Sequence, residues 1–116
     1  MSVDVYGIKN CDTVKKATAW LNDHRIKFSF HDFKTEGVDT KKLSLWMKSE
    51  HGYKLMNRSS TTWRSLSEAE KLNAENKGGS LLLMQIHTSL IKRPVVETET
   101  GILIGFKAEE FEKYFF

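Results

Sequence analysis

Apolar and polar positions alternate over the first residues of the chain. Val3 and Val5 fall on one side of an extended backbone, and Asp4 and Tyr6 on the other. That period of two predicts a half-buried strand over 3–6. Gly7 to Asn10 reads as a turn, and then the period lengthens. Val14, Ala17, Thr18 and Leu21 recur at helical spacing, with Lys15, Lys16 and Asn22 on the far side. A helix is therefore expected from Cys11 to about His24, with Asn10 as its N-cap. Alternation returns in "KFSFHDF", where Phe28 and Phe30 oppose Ser29 and His31. A strand, a helix and a strand in this order make a right-handed crossover, which sets the two strands parallel.

From Lys34 to Ile91 the pattern is mostly helical. Asp39 can cap a helix that carries the stripe Leu43, Trp46 and Met47, and Ser67 with Glu70 has the spacing of a capping box. Gly78-Gly79 is expected to break the chain, with Ser80 capping the apolar run "LLLMQI". "RPVVETETGILIGF" then holds two strand-like runs, Val95–Thr98 and Ile102–Phe106. Glu99, Thr100 and Gly101 between them give a hairpin connection. Phe111, Tyr114 and Phe115, at i, i+3 and i+4, mark a closing helix whose aromatic face docks on the sheet. The expected order is βα, β, a helical block, ββα, as one domain over 1–116 with a helical insertion at about 34–91.

Composition narrows the class. The chain has 116 residues, 40% apolar and 28% charged, which suits one globular domain and not a disordered segment. There is no apolar run near the roughly 20 residues of a membrane span, and the N-terminus lacks the pattern of a secretory signal. Net charge is +3, but Lys and Arg are dispersed and interrupted by acids. This is a solvated surface and not a nucleic-acid footprint. One cysteine and four histidines without metal-ligand spacing argue against a metal site. A lone cysteine cannot form an internal disulfide, which fits a reducing compartment, the cytoplasm.

That cysteine is where the chemistry concentrates. Cys11 is placed at the start of a helix that follows a strand, where unpaired backbone N–H groups and the helix dipole favour a thiolate over a thiol. Lys9 and Lys15 add positive charge and Asp12 opposes them. The plainer alternative is a small buried hydrophobe, although "GIKNCDT" is polar and turn-like. Two further stretches stand out. In "LIKRPVV" the only proline, Pro94, follows Arg93; by itself it reads as a strand-start residue, and X–Pro bonds are also where cis peptides occur. In "MNRSSTTWR", Arg58 to Arg64 includes hydroxyl and guanidinium donors for an anion, or simply an ordinary polar loop with a helix cap.

"GIKNCDTVKKA", "NRSSTTWR", "IKRPVV" and "GILIGF", in this order, resemble the arsenate reductase (ArsC) and Spx family, and within it the YffB-like proteins. The resemblance runs over essentially the whole chain. It implies an α/β, thioredoxin-like fold with a mixed four-stranded sheet and a helical insertion. It also implies a cis Pro94 facing the cysteine. Cys11 takes the place of the family's nucleophile, Arg93 that of the arginine before the proline, and Arg58 that of the middle-loop arginine. Asn10, Lys9, Lys15, Pro94, Thr62 and Arg64 are the supporting residues.

The implied activity is that of a monothiol oxidoreductase with no bound cofactor. Glutathione is the co-substrate, glutathione or a glutaredoxin is the partner, and the substrate is a small molecule or a thiol/disulfide. The protein is expected to be a monomer. Two departures bear on this. The arsenate reductases carry another arginine on the last strand, where this chain has "IGFK", so arsenate is not expected as the native substrate. Spx-like regulators carry a Cys-x-x-Cys switch, whereas Cys11-Asp12-Thr13-Val14 has a single thiol. The rival expectation is an Spx-like binding module that docks on a protein partner such as RNA polymerase.

Overall fold

A computed structural model describes residues 2–116. The chain divides into two compact units. One comprises the segments up to Glu36 and from Arg93 onward, and the other is Gly37–Lys92.

The first unit is built on a four-stranded sheet. β1 (Val3–Gly7) leads to α1 (Asp12–Asp23), β2 (Ser29–Asp32) and the single-turn helix α2 (Phe33–Glu36). After the second unit the chain returns as β3 (Val95–Thr98), β4 (Ile102–Ile104) and α7 (Ala108–Phe115). The strand order is β2-β1-β3-β4. β1 pairs parallel with β2 and antiparallel with β3, and β3 pairs antiparallel with β4. The mixed sheet and the parallel crossover are those expected from the sequence, and the arrangement is thioredoxin-like.

Alternation in β1 sends Val3 and Val5 into the core with Ala17 and Leu21 of α1, Val96, Leu103 and Phe111 of α7. Phe28, Phe30, Trp20, Tyr114 and Phe115 pack around this cluster. The aromatic stripe of α7 therefore lies on the sheet, with Phe111 wholly buried and edge-on to Trp20 at 5.4 Å. Burial of this apolar surface is the main favourable contribution, at about 25 cal/mol per Å² removed from water.

α1 ends in a Schellman motif. Ile26 N–H donates to Leu21 O at 2.9 Å and Arg25 N–H to Asn22 O at 3.0 Å. Arg25 takes φ 58 to close it, a position usually given to glycine. β4 stops at Ile104, short of the expected Phe106, because Gly105 turns to φ 82 and donates its N–H back to Pro94 O at 2.8 Å. This left-handed backbone breaks the extended run and suits glycine.

The second unit is helical: α3 (Thr40–Lys48), α4 (Thr61–Ser65), α5 (Glu68–Asn73) and α6 (Lys77–Ile86), with 3₁₀ turns at Gly52–Lys54 and Thr88–Leu90. Asp39 caps α3 by accepting from Lys41 N–H at 2.9 Å, and Leu43 and Trp46 are buried as the stripe predicts. Ser67 and Glu70 form the expected capping box. The expected break at Gly78-Gly79 does not occur. Both glycines lie in the first turn of α6, whose cap is Asn76, accepting from Gly79 N–H at 2.7 Å. Ser80 is not a cap either. It is buried inside the helix, and its hydroxyl donates to Ala74 O at 2.6 Å. In a first turn the N–H groups have no intrahelical partner, so an asparagine just ahead of the glycines can start the helix.

Candidate functional site

β1 and β3 set the stage. Val3 pairs with Thr98 and Tyr6 with Val95; continuing this register brings Pro94 level with Gly7 and Arg93 level with Ile8. The Arg93–Pro94 peptide is cis, as the resemblance implies. Beyond Gly7 the chain crosses four residues, Ile8 to Cys11, and enters α1. The N-cap of that helix is Cys11 itself, with φ −137 and ψ 120, and not Asn10, which is exposed one residue earlier. Capping needs an extended residue whose carbonyl opens the helix, and here Cys11 O accepts from Lys15 N–H at 3.0 Å.

Cys11 is half-buried. It makes no side-chain cap hydrogen bond of ordinary geometry, but the groups around it act on its charge. Burial pushes the Cys11 thiol up. The Val14 N–H, the Arg93 guanidinium through a hydrogen bond and its charge, and the Thr13 N–H pull it down, and together they win, so the thiol lies below its ordinary value. Thr13 and Val14 are the second and third helical residues, whose N–H groups are orphaned by the helix start. These backbone donors have no side-chain signature and are invisible as residue types in the sequence; only the position of the helix start reveals them.

Within the first unit, then, Cys11 and Arg93 come together, with Arg93 half-buried and Pro94 buried. Asn10, Lys9 and Lys15 are exposed, and Val14, Arg93 and Thr13 lower the thiol. Lys107, which follows the last strand, is exposed at the N-cap of α7. Such a pairing of a thiolate with a guanidinium can do two things. It favours the thiolate over the thiol, and it can offer N–H donors to an anionic group.

Arg58, Thr62 and Arg64 belong to the second unit. Leu55 to Asn57 runs beside Leu90 to Lys92, with Lys92 N–H donating to Leu55 O at 2.8 Å and Asn57 N–H to Leu90 O at 2.7 Å. The exposed Arg58 follows, its guanidinium 4.8 Å from the Trp63 ring centre in a cation–π contact. Thr62 and Ser89 share a hydroxyl hydrogen bond at 2.7 Å, and Arg64 Nη2 donates to Ser59 O at 3.0 Å. Arg58 also borders a cavity of about 180 Å³ lined by Met47, Met56, Met84 and Tyr53. Among the described residues there is no cluster of His, Cys, Asp and Glu able to hold a metal ion, and no helix is long and apolar enough to cross a membrane.

Known proteins share this architecture. The solved structure of the protein YFFB (PA3664) matches with a TM-score of 0.90 at 40% identity, over 97% of each chain. An arsenate reductase (ArsC) related protein from Brucella melitensis is 44% identical with a TM-score of 0.76, over 99% of this chain and 95% of that one. Global transcriptional regulator Spx 1 of Lactococcus lactis is 25% identical over 97% of this chain and 88% of its own length. The ArsC family model matches residues 6–114, from the end of β1 through the capping cysteine and the cis proline into α7. With that match over most of its length, the chain belongs to the ArsC family.

Proposed function

We propose that the chain is a monothiol reductase in which Cys11 is the nucleophile and glutathione or a glutaredoxin restores it. The observation that carries this reading is the Cys11 thiol held below its ordinary value by the Val14 and Thr13 N–H groups and Arg93. For a disulfide substrate the thiolate attacks one sulfur, forms Cys11–S–S–R and expels the other sulfur as a thiolate, which takes a proton. A glutathione thiolate then attacks the Cys11 sulfur and expels the R thiolate. A second glutathione attacks the glutathione sulfur of the new mixed disulfide, returning the Cys11 thiolate and leaving oxidised glutathione. The substrate disulfide gains two electrons, which two glutathione thiols supply. With one cysteine in the chain the resolving thiol is external. Dependence on reduced glutathione suits a cytoplasmic protein.

Arg93 is the anion-binding residue beside the thiol in this reading. Arsenate is a poor substrate in it. The chain lacks an arginine on the last strand, and one lost charge-assisted pair is worth ~1.5–3 kcal/mol, or about tenfold to a hundredfold in binding. The test is mass spectrometry and turnover with a glutathione mixed disulfide. A single adduct on Cys11, with turnover abolished in Cys11→Ser, supports the reading; turnover that survives Cys11→Ser, or a Cys11 that never forms the adduct, overturns it.

Similarity to Spx 1 across 97% of this chain favours a second reading, a module that docks on a protein partner such as RNA polymerase. Binding to RNA polymerase that persists in Cys11→Ser, with no thiol turnover in the wild type, is the result that selects it.

A further inference from the structure

On the first unit, His31 of β2 lies between two carboxylates from different elements. Its Nε2 is 2.8 Å from Asp4 Oδ1 on β1, and its Nδ1 is 3.2 Å from Glu36 Oε1 at the end of α2. The ring stacks on Tyr6 at 4.6 Å, which holds its plane. Glu36 also accepts from Asp32 N–H through Oε2 at 3.3 Å, so one carboxylate ties the end of α2 back to β2. Other acidic groups stand near. Glu97 of β3 pairs with Asp4 across the sheet, and Asp32, next to His31, accepts from Lys34 N–H at 2.8 Å.

We propose that Asp4, His31 and Glu36 form a proton-operated clamp that fastens α2 to the sheet when the imidazole is charged and releases it when the imidazole is neutral. The reason is a count of donors. Ionised carboxylates only accept, and a neutral imidazole has a single N–H, so it can satisfy one carboxylate and must turn a lone pair on the other. Only the imidazolium donates in both directions. The contact to Asp4 is the shorter, so the neutral ring keeps its proton on Nε2 and its bond to Glu36 Oε1 is lost, leaving only the 3.3 Å bond from Asp32 N–H to hold that carboxylate. The Asp4 hydrogen bond raises the His31 pKa, burial opposes it, and Glu36 adds to the rise, so the charged form persists to higher pH than in a free histidine.

The clamp sits at a joint of the chain. α2 ends at Glu36, and Gly37, at φ 70, opens the second unit. A helix of one turn has little intrinsic stability, so a contact at its last residue decides whether it persists. Releasing Glu36 loosens the last residues before the chain enters Gly37–Lys92. The device is independent of Cys11 and stands or falls apart from the reductase reading.

A pH titration of the intact protein by two-dimensional NMR tests it, following the His31 ring and the backbone amides of 32–36. The amides are expected to shift with the same midpoint as the ring, above the ordinary histidine value of about 6.5. In Glu36→Gln the side chain can donate or accept as the ring requires, so the amide shifts should vanish and the ring midpoint should fall. Glu36 is 54% exposed, so this variant keeps its fold. Amides that do not move as His31 titrates, or that move unchanged in Glu36→Gln, overturn the clamp.

Discussion

Gly7 and Val14 meet where β1 hands over to α1: a Cβ on Gly7 would lie 2.8 Å from Val14 Cγ2. Real carbon atoms do not approach so closely, and Val14 is a buried, β-branched side chain that is stiff at χ1. The same Val14 supplies the backbone N–H that does most to lower the Cys11 thiol. Gly7→Ala should therefore cost about 1–3 kcal/mol through overpacking. It should also displace the head of α1 and raise the Cys11 pKa. Denaturant unfolding and alkylation rate against pH read the two effects; a destabilised variant with an unchanged thiol would uncouple them.

Arg93 acts on Cys11 through both a hydrogen bond and its charge. Arg93→Ala removes both, and the Cys11 pKa should rise while affinity for an anionic substrate falls. Arg93→Lys keeps the charge without the planar fork. It should restore much of the pKa and little of the affinity. Thiolate absorbance and oxyanion titration in the two variants measure this, and an Arg93→Ala protein indistinguishable from wild type would remove Arg93 from the site.

Arg25 holds a left-handed conformation at the end of α1. A residue with a Cβ is less stable there by roughly 1–2 kcal/mol, and glycine gives back part of that gain as unfolded-chain entropy. Arg25→Gly is expected to stabilise the protein by about 0.5–1 kcal/mol. An unchanged or lowered midpoint in thermal unfolding would contradict it.

Stability should depend on pH through two groups with opposite signs. His31 is raised in the folded state, chiefly by Asp4, so its contribution is complete below the unfolded value of about 6.5 and fades as pH rises through the folded value. Cys11 is lowered, with Val14, Arg93 and Thr13 outweighing burial. Its contribution is complete above the unfolded value of about 8.5 and fades as pH falls through the folded value. The gap in stability between wild type and Cys11→Ser should widen from acid toward pH ~9, and that between wild type and His31→Gln should narrow. Denaturation midpoints across pH give both slopes.

Most of the sheet unit was legible because its periods are clean. Val3 and Val5 alternate, Val14, Ala17 and Leu21 recur helically, and Phe111, Tyr114 and Phe115 stripe the last helix; each burial follows from spacing alone. Local chemistry was harder to read. Asn10 and Cys11 are both polar, and sequence cannot say which one opens the helix. Gly78-Gly79 looked like a break because glycine disfavours helix interiors, yet a capping Asn76 and the Ser80 hydroxyl hold a first turn there. The Asp4–His31–Glu36 cluster spans three elements, so no local spacing announces it. Its one trace was the polar side of the alternation, which puts Asp4 and His31 on the opposite side from Val3 and Val5.

The thiol at the head of α1 has been described as a ready attacker, but the same surroundings govern its departure. A sulfur that is comfortable as an anion is expelled easily when another thiolate attacks its partner. Val14, Thr13 and Arg93 favour the free Cys11 thiolate, and a sulfur in a mixed disulfide carries no negative charge for them to stabilise. Any adduct on Cys11 forgoes that stabilisation. In the proposed cycle this favours the reduced form and makes a mixed disulfide on Cys11 easy for an external thiol to resolve.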